Sequence, residues 1–169
     1  MRHERIDPGS EAGVAGHRVG DRMRRPVATI REDAAAREAW ELMRSRGIRH
    51  LPVLDVHGRL VGIVTDRDLR QLVFDPRLRA RVAGPAGEDV PVGAVMTRGV
   101  ITTRTTASIL DAARLMHERK IGALPVVEGD DVVGIFTETD ALAALVEMLG
   151  AAAISRALRW AIATRRGAA

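Results

Sequence analysis

The chain contains an internal duplication. Residues 19–68 recur at residues 92–140, with 21 identical positions between the two copies. The copies lie 73 positions apart up to the Leu-Pro-Val runs that begin at Leu51 and Leu124, and 72 apart after one extra residue near His57. Self-similarity at a fixed period indicates a repeated structural unit. A unit of about 55 residues buries little surface alone, so we expect the two copies to pack against each other.

Each copy predicts the same order of elements. An extended start at 27–30 precedes a helix whose apolar residues have the spacing of one buried face. Two strands joined by a short turn follow at 51–55 and 60–64, and a second helix begins at Asp66. The second copy repeats this β-α-β-β-α pattern, with its second helix from Glu138. The predicted fold class is therefore α+β.

The sequence outside the two repeats is divided by glycine and proline. Gly150 is predicted to interrupt the last helix of the second copy, and the apolar residues beyond it have helical spacing. This last segment packs on the module or a sister subunit in one interpretation, and contacts a partner or lipid surface in the other. The predicted organisation is a flexible tail at 1–16, repeats at 17–73 and 92–149, a linker at 74–91, and an accessory amphipathic helix with its tail at 150–169.

Composition removes several classes of function. The absence of cysteine excludes disulfides, thiolate metal sites and cysteine nucleophiles. With two Phe, two Trp and no Tyr, the chain lacks an aromatic platform for single-stranded nucleic acid. Its 26 basic and 22 acidic residues interleave and form no basic stripe, so nucleic-acid binding is not expected. No apolar run has membrane-helix length and the histidines are scattered, so we expect a cytoplasmic protein with no membrane span, metal or required cofactor.

A short motif closes each repeat. Gly62 is followed by Thr65 and Asp68, and the second copy has Gly134, Thr137 and Asp140 at the same spacing. In one interpretation each Thr caps the following helix and each Asp completes a capping box. In the other, the same helix N-terminus binds an anion while the Asp accepts hydrogen bonds from sugar hydroxyls. The two interpretations are compatible. Either glycine marks a bulge or the close approach of a ligand or backbone.

Two tandem Gly-x-x-Thr-x-x-Asp motifs, each about ten residues after a Leu-Pro-Val strand, resemble a pair of cystathionine beta-synthase (CBS) domains, the Bateman module. The resemblance covers residues 17–149 and implies a pseudo-twofold axis with two clefts for adenosyl ligands. It implies that Asp68 and Asp140 bind ribose and that Thr65 and Thr137 lie beside phosphates. It further implies adenine contacts from Ala28, Ile48 and Arg49 and from Ile101, Ile121 and Gly122.

The resemblance also pairs residues across the repeats. It places Arg49 and His50 in the cleft of Asp140, and Gly122 with Ala123 in the cleft of Asp68. Arginine and histidine provide phosphate donors that Gly and Ala lack, so we favour the Asp140 cleft for a phosphorylated ligand. A solvated strand end is the plain alternative for Arg49 and His50.

The expected function is a stand-alone, non-enzymatic regulatory module that binds ATP, ADP, AMP or S-adenosylmethionine and signals through shape or dimer arrangement to an unknown downstream protein. A homodimer is expected from the resemblance. One alternative is a structural or interaction module in which the motif residues only cap helices. Another is a nucleic-acid-binding regulator that uses arginines of the linker and the C-terminal helix. These linker residues are Arg77, Arg79 and Arg81.

Overall fold

The computed structural model describes residues 17–74, 77 and 89–150. The predicted N-terminal tail, most of the predicted linker, including Arg79 and Arg81, and the accessory segment after Gly150 lie outside the described residues. Within the described ranges no helix is long and apolar enough to cross a membrane.

The two copies contain equivalent helices and equivalent hairpins, and differ in the position of their first short strand. The first copy comprises α1 (Val19–Arg22), β1 (Ile30–Arg31), α2 (Ala36–Arg46), β2 (His50–Leu54), β3 (Leu60–Thr65) and α3 (Asp66–Phe74). The second comprises a 3-10 turn (Val92–Ala94), β4 (Thr97–Arg98), α4 (Ile109–Arg119), β5 (Ala123–Glu128), β6 (Asp131–Thr137) and α5 (138–150). The α+β class is confirmed.

Three local features differ from the sequence prediction. A short helix or 3-10 turn precedes each unit, and its three or four residues are too few to show a helical period. The extended start of the first copy forms a strand only at Ile30–Arg31. Gly150 is still helical, so the predicted interruption does not occur at that residue.

The first long helix of each copy buries one apolar face. Helix α2 buries Ala36, Ala39 and Met43, and α4 buries the residues 73 positions later. Helix α2 ends at Gly47, whose φ of 62° places it in the left-handed region that glycine adopts without steric cost. The same apolar spacing therefore gives two equivalent helices.

Each copy also forms an antiparallel hairpin with a bulge at the same place. Strands β2 and β3 pair Val53 with Gly62, and β5 and β6 pair Val126 with Gly134. In both hairpins the register shifts directly after this pair. The repeated glycine thus lies beside a bulge, where the strand bends.

The segment that begins each copy joins the sheet of the other copy. Strand β4 pairs with β3, so that the first sheet has the order β1-β2-β3-β4. The equivalent segment of the first copy makes an antiparallel bridge between Arg24 and Ile135 of β6. The two repeats are therefore connected by reciprocal backbone pairing, in which the pair Ile63–Thr97 has the pseudo-symmetric counterpart Ile135–Arg24.

The cores follow the same exchange. Val19 and Met23 pack in the core of the second copy, and Val92 and Met96 pack in the core of the first. The exchanged methionines explain the repeated glycines, because a Cβ atom on Gly134 would lie 2.6 Å from Met23 Sδ. Gly62 faces Met96 in the same way. The close approach at these glycines is therefore that of a core side chain. Leu60, Val100 and Val127 form a third buried cluster between the copies.

Candidate functional site

The Thr and Asp of each repeated motif contact each other at the start of a helix. Asp68 Oδ2 accepts hydrogen bonds from the Thr65 backbone N–H (2.8 Å) and hydroxyl (2.7 Å). Asp140 Oδ2 accepts the same pair from Thr137 at 2.9 and 2.6 Å. Asp68 N–H also donates to Thr65 Oγ1 at 3.3 Å, which completes the predicted capping box in the first copy. In both motifs one carboxylate oxygen is thus committed to the helix terminus.

The second carboxylate oxygen differs between the two motifs. Asp140 Oδ1 accepts a hydrogen bond from Arg24 Nε at 3.1 Å, and its side chain is only 9% exposed. Asp68 is half-buried, and the residue equivalent to Arg24 on its side is Thr97. The pseudo-symmetry of the backbone is therefore broken by side-chain charge at this site.

A cleft of about 260 Å³ lies at the start of α5, and its lining includes Arg24, the ion-pair partner of Asp140, but not Asp140 itself. Its wall combines two segments of the first copy, residues 24–28 and 46–50, with Gly122, the end of β6 and the start of α5 from the second copy. The lining residues are Arg24, Pro26, Val27, Ala28, Arg46, Gly47, Ile48, Arg49, His50, Gly122, Ile135, Thr137, Glu138 and Thr139.

Several residues that the sequence analysis singled out meet in this cleft. Ala28, Ile48, Arg49, His50 and Thr137 all line it. Asp140 reaches its edge through the contact with Arg24. Residues that are 89 positions apart in sequence, from Ile48 to Thr137, are thus brought to one wall because each copy contributes its strand ends to the same side.

The resemblance implied that Gly122 lies in the cleft of Asp68. In the structure Gly122 lines the cleft described here. Its carbonyl accepts the N–H of Glu138 at 3.1 Å, which holds the turn before β5 against the start of α5. The other candidates lie outside this lining. Ile101 and Ile121 are partly buried against the core of the second copy, while Thr65 and Asp68 stand at the pseudo-symmetric position.

The sequence analysis missed Arg24, Arg46, Glu138 and Thr139, which also line the cleft. One signal could have revealed Arg24. It aligns with Thr97 in the other copy, which is the same kind of charge asymmetry that drew attention to Arg49 opposite Gly122. The alignment alone does not place Arg24 beside Asp140, because the two residues are 116 positions apart.

The lining has an excess of positive charge. Arg24, Arg46 and Arg49 line the cleft with a single carboxylate, that of Glu138. Burial lowers the pKa of His50 below its usual value, the charge of Arg49 adds to this effect, and nearby carboxylates oppose it. These cations suit an anion, while Ala28 and Ile48 offer an apolar wall.

The described residues contain no group of three or more His, Cys, Asp or Glu side chains that could hold a metal ion. What the cleft offers is a binding surface that combines cationic and aliphatic side chains.

A family model for the CBS domain matches the chain twice, at residues 19–75 and 92–147. CBS domain-containing protein YhcV of Bacillus subtilis is 33% identical over 117 residues, which are 69% of this chain and 77% of that protein. Protein MJ1404 of Methanocaldococcus jannaschii is 37% identical over 131 residues, 75% of this chain. The chain spans only 31% of MJ1404 and 24% of the similar homoserine O-acetyltransferase of Methanohalophilus mahii.

Solved structures give the same result. CBSX2 in complex with AMP superposes with a TM-score of 0.66 at 32% identity, over 79% of this chain and 98% of that one. The CBS domain pair of MJ0100, in complex with 5′-methylthioadenosine and S-adenosyl-L-methionine, gives a TM-score of 0.65 at 28% identity, over 79% and 96%. The similarity extends across both repeats.

Proposed function

Because this chain belongs to the CBS domain family, we propose that it is a regulatory module that binds an adenine nucleotide or a related adenosyl ligand between its repeats. In this proposal the module is not an enzyme, and its output is a change of shape or of dimer arrangement. The observation that carries the proposal is the cleft in which Arg49 and His50 of the first copy face Thr137 of the second.

Each part of a nucleotide has a counterpart in this cleft. Asp140 Oδ1, which accepts a hydrogen bond from Arg24, is the oxygen we assign to ribose hydroxyls, since Oδ2 already accepts two hydrogen bonds from Thr137. Arg24, Arg46 and Arg49 present guanidinium donors to phosphate. Ala28 and Ile48 provide an aliphatic wall for adenine, in a cleft that has no aromatic side chain among its lining residues.

The charge of the cleft favours a phosphorylated ligand over a neutral one. Three arginines against Glu138 and the Asp140 carboxylate leave a local excess of positive charge, and guanidinium groups bind phosphate oxygens in charge-assisted pairs. CBSX2 was solved with AMP, whereas MJ0100 was solved with adenosyl sulfur compounds. Of these two ligand classes, we assign the nucleotide class to the Asp140 cleft.

Signalling requires a ligand that prefers one arrangement of the repeats. A ligand in this cleft contacts both copies, so its affinity depends on how they are positioned relative to each other. Any difference in affinity between two arrangements shifts their populations by the same free energy.

We place the dimer contact on α5. Its outward face carries an apolar stripe at helical spacing, on the side opposite the buried residues Asp140 and Ala144. Exposed apolar stripes of this kind mark interaction surfaces. The residues of this stripe are Leu142, Leu145, Val146 and Leu149, which are 60%, 48%, 69% and 62% exposed.

Calorimetric titration of the full chain with AMP, ADP, ATP, 5′-methylthioadenosine and S-adenosylmethionine tests the proposal. We expect saturable binding of at least one nucleotide. The proposal is contradicted if none of the five ligands binds at concentrations up to about 1 mM, which corresponds to a binding free energy of about 4 kcal/mol. That result would favour an interaction module without a ligand. Binding of DNA or RNA that weakens steeply with salt would instead favour the nucleic-acid alternative.

A further inference from the structure

Arg24 and Asp140 form an ion pair in which the two side chains differ greatly in solvent exposure. The Asp140 side chain is 9% exposed and is fixed by Thr137, whereas the Arg24 side chain is 58% exposed. The backbone of Arg24 is held by two hydrogen bonds with Ile135, at 2.8 and 3.2 Å. The guanidinium can therefore move while the Cα of Arg24 stays at the edge of the cleft.

This guanidinium occupies the carboxylate oxygen that a ribose would need. Asp140 Oδ2 already accepts two hydrogen bonds from Thr137, so Oδ1 is the oxygen that remains for a sugar hydroxyl. Arg24 Nε lies 3.1 Å from Oδ1 and covers a side chain that is otherwise buried. A ribose hydroxyl brought to this nearly buried oxygen competes with the Arg24 guanidinium for it.

We propose that Arg24 sets the ligand preference of the Asp140 cleft by exchanging Asp140 for the phosphate of a bound nucleotide. This inference rests on the proposed function. An adenosine 5′-phosphate displaces the guanidinium from Asp140 and offers it a new anionic partner, since Arg24 and the start of α5 line the same cleft. A neutral adenosyl ligand displaces it and offers none. Arg24 therefore disfavours neutral adenosyl ligands.

The equivalent position of the other repeat carries no arginine, so the exchange is specific to the Asp140 cleft. Thr97 stands where the pseudo-symmetry would place a second arginine, and it offers no cation to Asp68. The backbone pairing is the same on both sides, with Ile63 opposite Thr97 and Ile135 opposite Arg24. At this position the two repeats therefore differ in the side chain and not in the backbone pairing.

The test compares AMP with 5′-methylthioadenosine by calorimetric titration of the full chain and its variants. In Arg24→Gln the affinity for 5′-methylthioadenosine should rise about fivefold, the effect of losing one partly exposed ion pair. The affinity for AMP should not rise, because the variant also loses the phosphate contact. The preference for AMP should therefore fall about fivefold.

Two further variants separate charge from structure. Arg24→Lys keeps a cation and should retain the preference for AMP within about twofold. Arg25→Gln removes the same charge from the next residue, which is exposed and outside the cleft lining, and should behave as the wild type. An unchanged preference for AMP in Arg24→Gln, or an equal loss of that preference in Arg25→Gln, overturns the inference but leaves the proposed function standing. If the wild type binds neither ligand, the proposed function is overturned and the inference with it.

Discussion

His50 lies directly against Gly122, with its Nε2 atom 3.2 Å from the position that a Cβ atom on residue 122 would occupy. The two residues belong to different repeats, so this contact joins the two halves of the cleft at one point. A glycine at residue 122 leaves room for the imidazole, and the imidazole is half-buried as a result.

The burial of His50 predicts a stability that falls in acid. Burial, aided by the charge of Arg49, lowers the pKa of His50 below 6.5, against the opposing charges of Asp66, Glu138 and Asp68. As pH falls through 6.5, the unfolded chain takes up a proton before the native state does, so the free energy of unfolding decreases. Urea unfolding at pH 7.5 and 5.5 should show a smaller acid loss in His50→Gln than in the wild type.

His57→Gln is the control for this comparison, since His57 is exposed in the turn between β2 and β3. It should show the same acid loss as the wild type. Equal acid losses in His50→Gln and the wild type would contradict the prediction.

Asp140→Ala should weaken the binding of AMP about tenfold, because it removes the carboxylate that accepts from ribose hydroxyls. It should lower the free energy of unfolding by only about 1 kcal/mol, the cost of a lost cap. Calorimetric titration and urea unfolding give the two quantities. Asp68→Ala loses the equivalent cap and should leave the affinity of the Asp140 cleft within about twofold of wild type. Equal losses of affinity in both variants would contradict the assignment of AMP to the Asp140 cleft.

Arg49→Gln tests the phosphate side of the cleft. The exposed guanidinium should contribute about fivefold to the affinity for AMP and nothing to that for adenosine, which has no phosphate. Titration with both ligands measures the difference. Arg44→Gln, at an exposed position of α2 outside the cleft lining, is the matched control. If Arg49→Gln loses affinity for AMP and for adenosine by the same factor, Arg49 shapes the cleft instead of contacting phosphate.

Gly134→Ala should destabilise the fold by about 1–3 kcal/mol, the usual cost of an extra methyl group in a packed core. Its Cβ would lie 2.6 Å from Met23 Sδ and 3.1 Å from the backbone oxygen of Arg24, both of which belong to the other repeat. Urea unfolding measures the loss. Gly150→Ala, where no described heavy atom lies within 4 Å of the new Cβ, should not destabilise. If Gly134→Ala unfolds like the wild type, the exchanged Met23 does not pack there.

Val146→Glu should weaken the proposed dimer by placing a charge in the middle of the apolar stripe of α5, where the native side chain is 69% exposed. Light scattering coupled to size-exclusion chromatography should show a shift toward monomer at a given concentration. Ala143→Glu adds the same charge to an exposed position of the same helix outside the stripe and should leave the dimer intact. If both variants keep the mass of the wild type, the dimer contact lies elsewhere.

The sequence by itself determined the duplication, the order of the long helices and hairpin strands, and the pairing of Thr137 with Asp140. These features depend on residues that are close in the chain: apolar spacing on one helix face, β-branched runs, and a Thr three residues before an Asp. A local pattern of this kind has one low-energy backbone, so it can be recognised without knowing what packs around it.

Only the tertiary structure decided which copy each starting segment joins. The local conformation of Met23 and Arg24 would be the same on either sheet, so no periodicity distinguishes the two possibilities. Packing against Gly134 places Met23 in the core of the second copy, and this brings Arg24 to Asp140. The charge of the cleft therefore follows from a long-range exchange, whose contacts form only when both copies are folded.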